Sequence, residues 1–272
     1  MKLAEDFRAI ARDALKGRWL RAVGVGLLAG LMGASIDGTS LNIDLDDLDS
    51  VNLIFQSDFF LRYRIFFLIG GAILLVYALL CLIIGGAATL GYAKYNLDLV
   101  DGKDPDVTEL FSQFHRLWPG FCLQFLRWLY TTLWTLLFII PGIIAQYRYS
   151  MAAYILAENP EMTAGEAITK SKELMVGNKF RFFCLIFSFM GWFLLCIAPM
   201  VLFGGIATGP MVVRSSAGGI ALLVIGIFLS YVCLTFLFPY MEAANAAFYR
   251  DVSSPTSEGE QTGPEALPEQ IL

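Results

Sequence analysis

The sequence predicts an all-α fold: a polytopic transmembrane helix bundle of about six spans in three hairpins, with amphipathic interfacial helices. Three observations predict it. Hydrophobic residues make up 57% of the 272-residue chain and charged residues only 16%, with a mean hydropathy of +0.64. A soluble domain of this length needs far more charge to cover its surface. The apolar residues also come in runs of about 20, the length that crosses roughly 30 Å of hydrocarbon. Finally, the basic residues gather on one side of those runs, as the positive-inside rule requires. No stretch outside the runs is long enough to bury a core of its own.

Each element follows from local pattern. Leu3, Phe7, Ile10 and Ala14 recur at spacings of four, three and four, one face of a helix with charges opposite. This helix is expected to lie in the interface and lead, through the anchor pair Arg18 and Trp19, into a first span at Trp19–Ile36. The first twenty residues do not read as a secretory signal, because Glu5, Asp6, Arg8, Arg12 and Asp13 interrupt them. An acidic loop, residues 37–64, carries Asp37, Asp44, Asp46, Asp47, Asp49 and Asp58. The second span is expected at Ile65–Tyr92, long enough to tilt or to project past the bilayer. After the turn-rich Asp101-Gly102-Lys103-Asp104-Pro105 comes a short amphipathic piece with Leu110, Phe111, Phe114 and Trp118, then a third span at Phe121–Ile140.

Pro141-Gly142 is expected to turn the chain, since proline removes a backbone donor and glycine loosens the backbone. The fourth apolar piece, Ile143–Ala157, is short for a straight crossing and contains Arg148. Thr163-Ala164-Gly165-Glu166 is a capping box opening a helix with Ala167, Ile168, Leu174 and Met175 on one face. The fifth and sixth spans are expected at Phe182–Phe203 and Gly218–Tyr240. The domain plan is therefore an interfacial helix (1–18), a six-span transmembrane domain (19–250) and a disordered cytoplasmic tail (251–272), its composition rich in Ser, Pro and Glu.

The formal charge of −5 matters less than where the charges sit. With six spans and the N-terminus inside, fifteen of the nineteen Lys and Arg face the cytoplasm, against Arg62, Arg64 and Arg214 outside and Arg127 within a span. A multi-pass protein of the cell membrane with both termini cytoplasmic is the expectation. Fusing the third and fourth spans would place Lys170, Lys172, Lys179 and Arg181 outside, against the rule. Three amphipathic lead-ins, Phe7–Trp19, Leu110–Trp118 and Ile168–Phe180, suggest a threefold hairpin repeat, although any six-span chain yields hairpins.

Several residues invite a chemical reading. Arg127, about two turns into the third span, either snorkels to the inner headgroups, contacts a lipid phosphate or substrate, or hydrogen-bonds a neighbouring helix. Arg148 flanks the short fourth piece, and Glu242 and Asn245, roughly a turn apart, are candidates to pair with Arg148 or Arg127. Lys170 and Lys172, with Lys179 and Arg181, form a basic patch beside the membrane that sets topology or attracts anionic lipid headgroups. Gly26-x-x-x-Gly30 and Gly85-x-x-x-Thr89 allow close helix approach, expected within the chain.

No metal, cofactor or catalytic site is expected. The single histidine, His115, reads as a surface side chain, and no HExxH, GxSxG or P-loop pattern occurs. No Asp or Glu lies in the middle of a span, so a proton or sodium relay lacks its carboxylates. Asp44-x-Asp46-Asp47-x-Asp49 lacks the Gly and distal Glu of an EF-hand loop. Cys81, Cys122, Cys184, Cys196 and Cys233 fall inside apolar runs without CxxC spacing and read as small buried hydrophobes.

An ordered set of motifs carries a family resemblance. Ala14-Leu15-Lys16-Gly17-Arg18-Trp19, Gly91-Tyr92-Ala93, Leu110-Phe111, Ile140-Pro141-Gly142-Ile143 and Glu158-Asn159-Pro160 are followed by Ala167-Ile168, Lys170-Ser171, Met175-Val176-Gly177, Gly191-Trp192, Pro239-Tyr240, Ala243 and Phe248-Tyr249. Together these resemble the bacterial integral membrane family catalogued as domain of unknown function 975, over about residues 5–251. The Pro-Gly turn and the helix after it are more loosely similar to the membrane domain attached to some glycerophosphodiester phosphodiesterases, whose catalytic domain has no counterpart here. The resemblance implies topology and bacterial origin and lends no mechanism. The expected role is a non-enzymatic structural or accessory component of the cytoplasmic membrane. The alternative is an uncoupled small-molecule or lipid permease. Expected partners are the lipid bilayer, anionic headgroups and possible neighbouring membrane proteins, with no nucleic acid.

Overall fold

The alternating charges near the start of the chain fold as helix α1 (Ala4–Leu15), with the Asp6 carboxylate accepting from the Leu3 backbone N–H at 2.8 Å. The structure is a computed structural model that describes residues 2–34, 58–207 and 216–254; most of the acidic loop and the tail beyond Ser254 lie outside the described residues. The buried stripe of α1 is Phe7, Ala11 and Leu15, whereas Leu3 stays 72% exposed and Ile10 and Ala14 border the core. The stripe is rotated from the expected one because small Ala11 lets α1 dock with the Phe7 ring edge-on to Phe248, centroids 5.3 Å apart.

Helix α2 (Trp19–Leu31) has 13 residues, about 20 Å of helix, short of a straight crossing. Helix α3 (Asp58–Val100) is a single rod of 43 residues, about 64 Å, and has two characters. Ile65, Phe66, Leu68, Ile73, Leu74 and Leu79 are exposed, while Ala87, Ala88, Leu90, Ala93, Tyr95, Leu97 and Leu99 are buried. The second expected span thus projects past the apolar stretch into the packed end of the molecule. Gly86 of α3 meets Gly120 of α4 (Leu117–Leu137) backbone to backbone, and a Cβ on Gly120 would lie 2.6 Å from the Gly86 carbonyl carbon. Small residues on α3 therefore serve packing within the chain.

Two short 3-10 helices, Val107–Phe111 and Phe114–Arg116, join α3 to α4; of the expected amphipathic face only Leu110 is buried, and Trp118 is 73% exposed. The chain then reverses at Phe138, in extended backbone (φ −160°, ψ 145°), and enters α5 (Ile139–Tyr149). The reversal falls three residues before the expected Pro141-Gly142 turn. Pro141 sits in the first turn of α5, where its missing N–H would have no helical partner anyway, and Gly142 packs against Thr135 where a Cβ would collide.

The expected fourth span, Ile143–Ala157, is two helices, α5 and α6 (Ala152–Glu158), with Ser150 and Met151 between them. Every residue from Ala152 to Ala157 is buried, so α6 is a core element packed against α3 and not a lipid-facing crossing. Helix α7 (Ala164–Leu174) begins with the expected capping box: Thr163 Oγ1 accepts from Glu166 N at 3.3 Å, and Glu166 Oε2 accepts from Thr163 N at 2.8 Å. The fifth apolar stretch is α8 (Lys179–Ser188) and α9 (Met190–Ala207), joined through helical Phe189. Helix α10 (Ser216–Ser253) runs 38 residues straight through Pro239, thirteen past the Tyr240 at which the sixth span was expected to end.

Two of the three lead-ins end alike. After α1 and after α7, a buried residue (Leu15, Met175), an exposed one (Lys16, Val176) and a glycine at φ +74° (Gly17) or +76° (Gly177) precede the next helix. Only glycine takes this left-handed conformation freely, so both turns need it.

Buried side chains concentrate at one end, where α1, the second half of α3, α6, α7, α8 and the last third of α10 meet. At the other end apolar helix surface is exposed. Three helices, within 68–100, 179–206 and 218–253, are long and apolar enough to cross a membrane, and only 6%, 17% and 17% of their most apolar windows is buried. That inverts the soluble pattern and matches helices solvated by lipid. No strand occurs among the described residues.

Candidate functional site

A polar centre lies inside the packed end. Pro239 interrupts the hydrogen-bond ladder of α10 but not the helix, and Gly26 of α2 leaves room beside it: a Cβ there would lie 3.4 Å from the Pro239 ring and 3.1 Å from the Tyr92 hydroxyl. Three residues past Pro239 stands Glu242, 8% exposed, and three further Asn245, 1% exposed, on the same side of the helix. Tyr154 of α6 donates its hydroxyl proton to Glu242 Oε2 at 3.0 Å, and its ring stacks on Tyr249 at 5.6 Å. The Tyr92 hydroxyl of α3 faces Gly26 beside Pro239. The Tyr92 hydroxyl and both amide atoms of Asn245 have no hydrogen-bond partner among the described residues. A carboxylate, two phenols and a carboxamide can bind a small hydrogen-bonding species but supply no nucleophile paired with a base.

Charged groups ring this centre and are engaged in holding helix ends together. Arg181 of α8 pairs with Asp251 of α10 at 2.7 Å, donates to the Lys2 carbonyl at 3.1 Å, and lies over the Phe7 and Phe248 rings at 5.9 and 5.7 Å. Arg250 bridges Asp101, at 2.5 Å, and Glu158, which also accepts from the Tyr249 hydroxyl at 2.6 Å. Arg18 and Arg21 share Asp104 at 3.1 and 2.8 Å. Arg116, 6% exposed, donates to the Leu156 and Pro160 carbonyls at 2.8 and 3.0 Å and so caps the C-terminal end of α6. Burial pulls the Arg116 guanidinium below its ordinary value, an effect that nearby Glu161 opposes.

The structure places Glu242 and Asn245 on one side of α10 and sets on Glu242 the hydroxyl of Tyr154, which sequence reasoning had not singled out. Arg148, half-buried, makes no ion pair among the described residues; its carbonyl accepts from Ser171 Oγ at 2.8 Å. Arg127 lies half-buried on α4. Lys172 Nζ sits 5.6 Å from both the Tyr130 and Tyr149 ring centroids, a cation held between two aromatic faces. Lys170 is exposed. Among the described residues no group of three or more His, Cys, Asp and Glu could hold a metal ion. Arg116 and Tyr154 carried no sequence signal, because one bonds backbone carbonyls and the other sits in an apolar run.

Long apolar helices exposed at one end and a charge-clamped core at the other define an all-helical membrane protein. Residues 136–256 match the model of the family described as Protein of unknown function (DUF975). The motifs from Ile140-Pro141-Gly142 to Phe248-Tyr249 lie inside the matched segment; those around Gly17, Tyr92 and Leu110 lie outside it. No curated protein and no solved structure matches the chain.

Proposed function

We propose that this chain is a multi-pass protein of the bacterial cytoplasmic membrane, with both ends cytoplasmic, that acts as a structural or accessory component and not as an enzyme. The observation that carries the reading is the use made of its charges. Arg18, Arg21, Arg116, Arg181 and Arg250 are each committed to a carboxylate or a carbonyl that ties one helix end to another. These pairings have a structural use, and the surface of the long helices is apolar. Exposed Lys170 and its neighbours suit anionic headgroups, at about 1 kcal/mol per charge near the surface.

A second reading, an uncoupled permease for small polar molecules, draws on the unpartnered Tyr92 hydroxyl and Asn245 amide beside Glu242. Reconstitution into liposomes separates the two. The accessory reading expects no flux of sugars, amino acids or ions above empty liposomes, together with a membrane protein crosslinked to this chain in intact membranes. Solute flux that Asn245→Leu abolishes would favour the permease instead.

A further inference from the structure

Helices α9 and α10 pack antiparallel along a seam with one continuous register. On α10, Gly226, Ser230 and Cys233 recur at spacings of four and three and share a face. Opposite them on α9 stand Phe203, Met200 and Cys196. A Cβ added to Gly226 would lie 2.9 Å from Phe203 Cβ and 3.1 Å from the Pro199 carbonyl. Ser230 Oγ accepts from the Met200 N–H at 3.0 Å. One rung further, the sulfurs of Cys196 and Cys233 are 2.7 Å apart. Beyond them the Phe189 and Tyr240 rings meet edge-on at 5.1 Å. Seven residues along α10 from Gly226 to Cys233 are matched by seven back from Phe203 to Cys196, and seven more on each side reach Tyr240 and Phe189, so helix packing places the two thiols together. Both are free thiols, and an S–S bond of about 2.05 Å needs only a small further approach.

We infer that Cys196 and Cys233 form a dithiol site whose reversible oxidation staples α9 to α10 inside the membrane. Cys196 is 3% exposed, and both residues lie in apolar stretches where a thiolate forms poorly. Exchange with a charged, water-soluble disulfide is therefore disfavoured. The oxidant that suits the site is an uncharged two-electron acceptor soluble in lipid, of the quinone or azo class. In the step the two S–H bonds break and the Sγ–Sγ bond forms. Both protons and both electrons pass to the acceptor, a quinone becoming a hydroquinone or an azo compound a hydrazine. A dithiol reductant returns them.

The test uses the full chain in its native membrane. Membranes are treated with the azo oxidant diamide, denatured in N-ethylmaleimide to cap every free thiol, digested, and analysed by mass spectrometry. Most molecules are expected to yield a Cys196–Cys233 linked peptide pair, with Cys81, Cys122 and Cys184 capped. Dithiothreitol before capping should return both cysteines to the alkylated form. C233S should leave Cys196 alkylated under the same oxidation, and the wild-type measurement stands if that variant does not accumulate. Cys196 and Cys233 as fully alkylated after diamide as before it, or Cys196 linked to a cysteine other than Cys233, overturns the inference.

Discussion

The Tyr154 hydroxyl donates to Glu242 Oε2 across 3.0 Å and so ties the buried helix α6 to α10. A hydrogen bond to a charged group contributes about 1.5–3 kcal/mol when its loss leaves the partner buried. Tyr154→Phe keeps the ring and removes only the donor. It is expected to lower the thermal unfolding midpoint of the protein in detergent by several degrees, and Glu242→Gln, which keeps an acceptor, by less. An unchanged midpoint in Tyr154→Phe would mean that this bond does not hold α6.

Close approach of α3 and α4 rests on two glycines facing one another. In Gly120→Ala the new methyl would stand 2.6 Å from backbone that cannot swing aside, so the helices must separate. Overpacking of this kind costs about 1–3 kcal/mol. Reduced yield and a lower midpoint are expected for Gly120→Ala and for Gly86→Ala alike. Gly165→Ala, with open space at its Cβ, serves as the control and should fold as the parent does.

Arg116 satisfies two carbonyls at the end of α6 through one planar guanidinium. A lysine has the charge but not the fork, so Arg116→Lys should restore little of what Arg116→Met loses. Both are expected to destabilise by about 2 kcal/mol or more, since charge-assisted bonds of roughly 1.5–3 kcal/mol are at stake. Faster hydrogen exchange at residues 152–158 than in the parent is the direct readout, and equal protection in Arg116→Lys would contradict the fork argument.

What the sequence made legible, and what it did not, divides along physical lines. The capping box at Thr163 and Glu166 is local, and it formed as read. Membrane character is compositional, and the exposed apolar ends of α3, α9 and α10 express it. Glu242 and Asn245 were legible as neighbours because three residues along a helix bring side chains together. The separate identity of α6 was hidden, since an apolar run buried in protein and one bathed in lipid have the same composition. The run of α10 through Pro239 was hidden too, because neighbouring helices compensate for the broken ladder. The contact of Cys196 with Cys233 depends on the register of two helices that no local motif encodes.

The Thr163–Glu166 box is also sensitive to acid. Hydrogen bonds from the Thr163 backbone and side chain hold the Glu166 carboxyl below its ordinary range. A group lowered on folding stabilises the fold above its unfolded pKa, and the contribution is lost as pH falls through the folded pKa. Protection of the first turn of α7 in hydrogen exchange should therefore decline below about pH 4.3, the ordinary value for glutamate. Thr163→Ala is expected to lose about 1 kcal/mol at neutral pH, the usual worth of such a cap. Pulsed exchange at pH 7 and pH 3 checks both statements, and a parent whose α7 is equally protected at the two values argues against the cap.

The arrangement proposed for this protein has α2–α3, α4–α5 and α9–α10 entering the bilayer as hairpins, with the charge-clamped core on the cytoplasmic face. Single cysteines introduced at Thr163 and Ser253, in a background without native cysteines, report it most directly in intact cells. Both are predicted to resist a membrane-impermeant maleimide until the cells are opened. Labelling of either position from the outside would contradict the proposed topology.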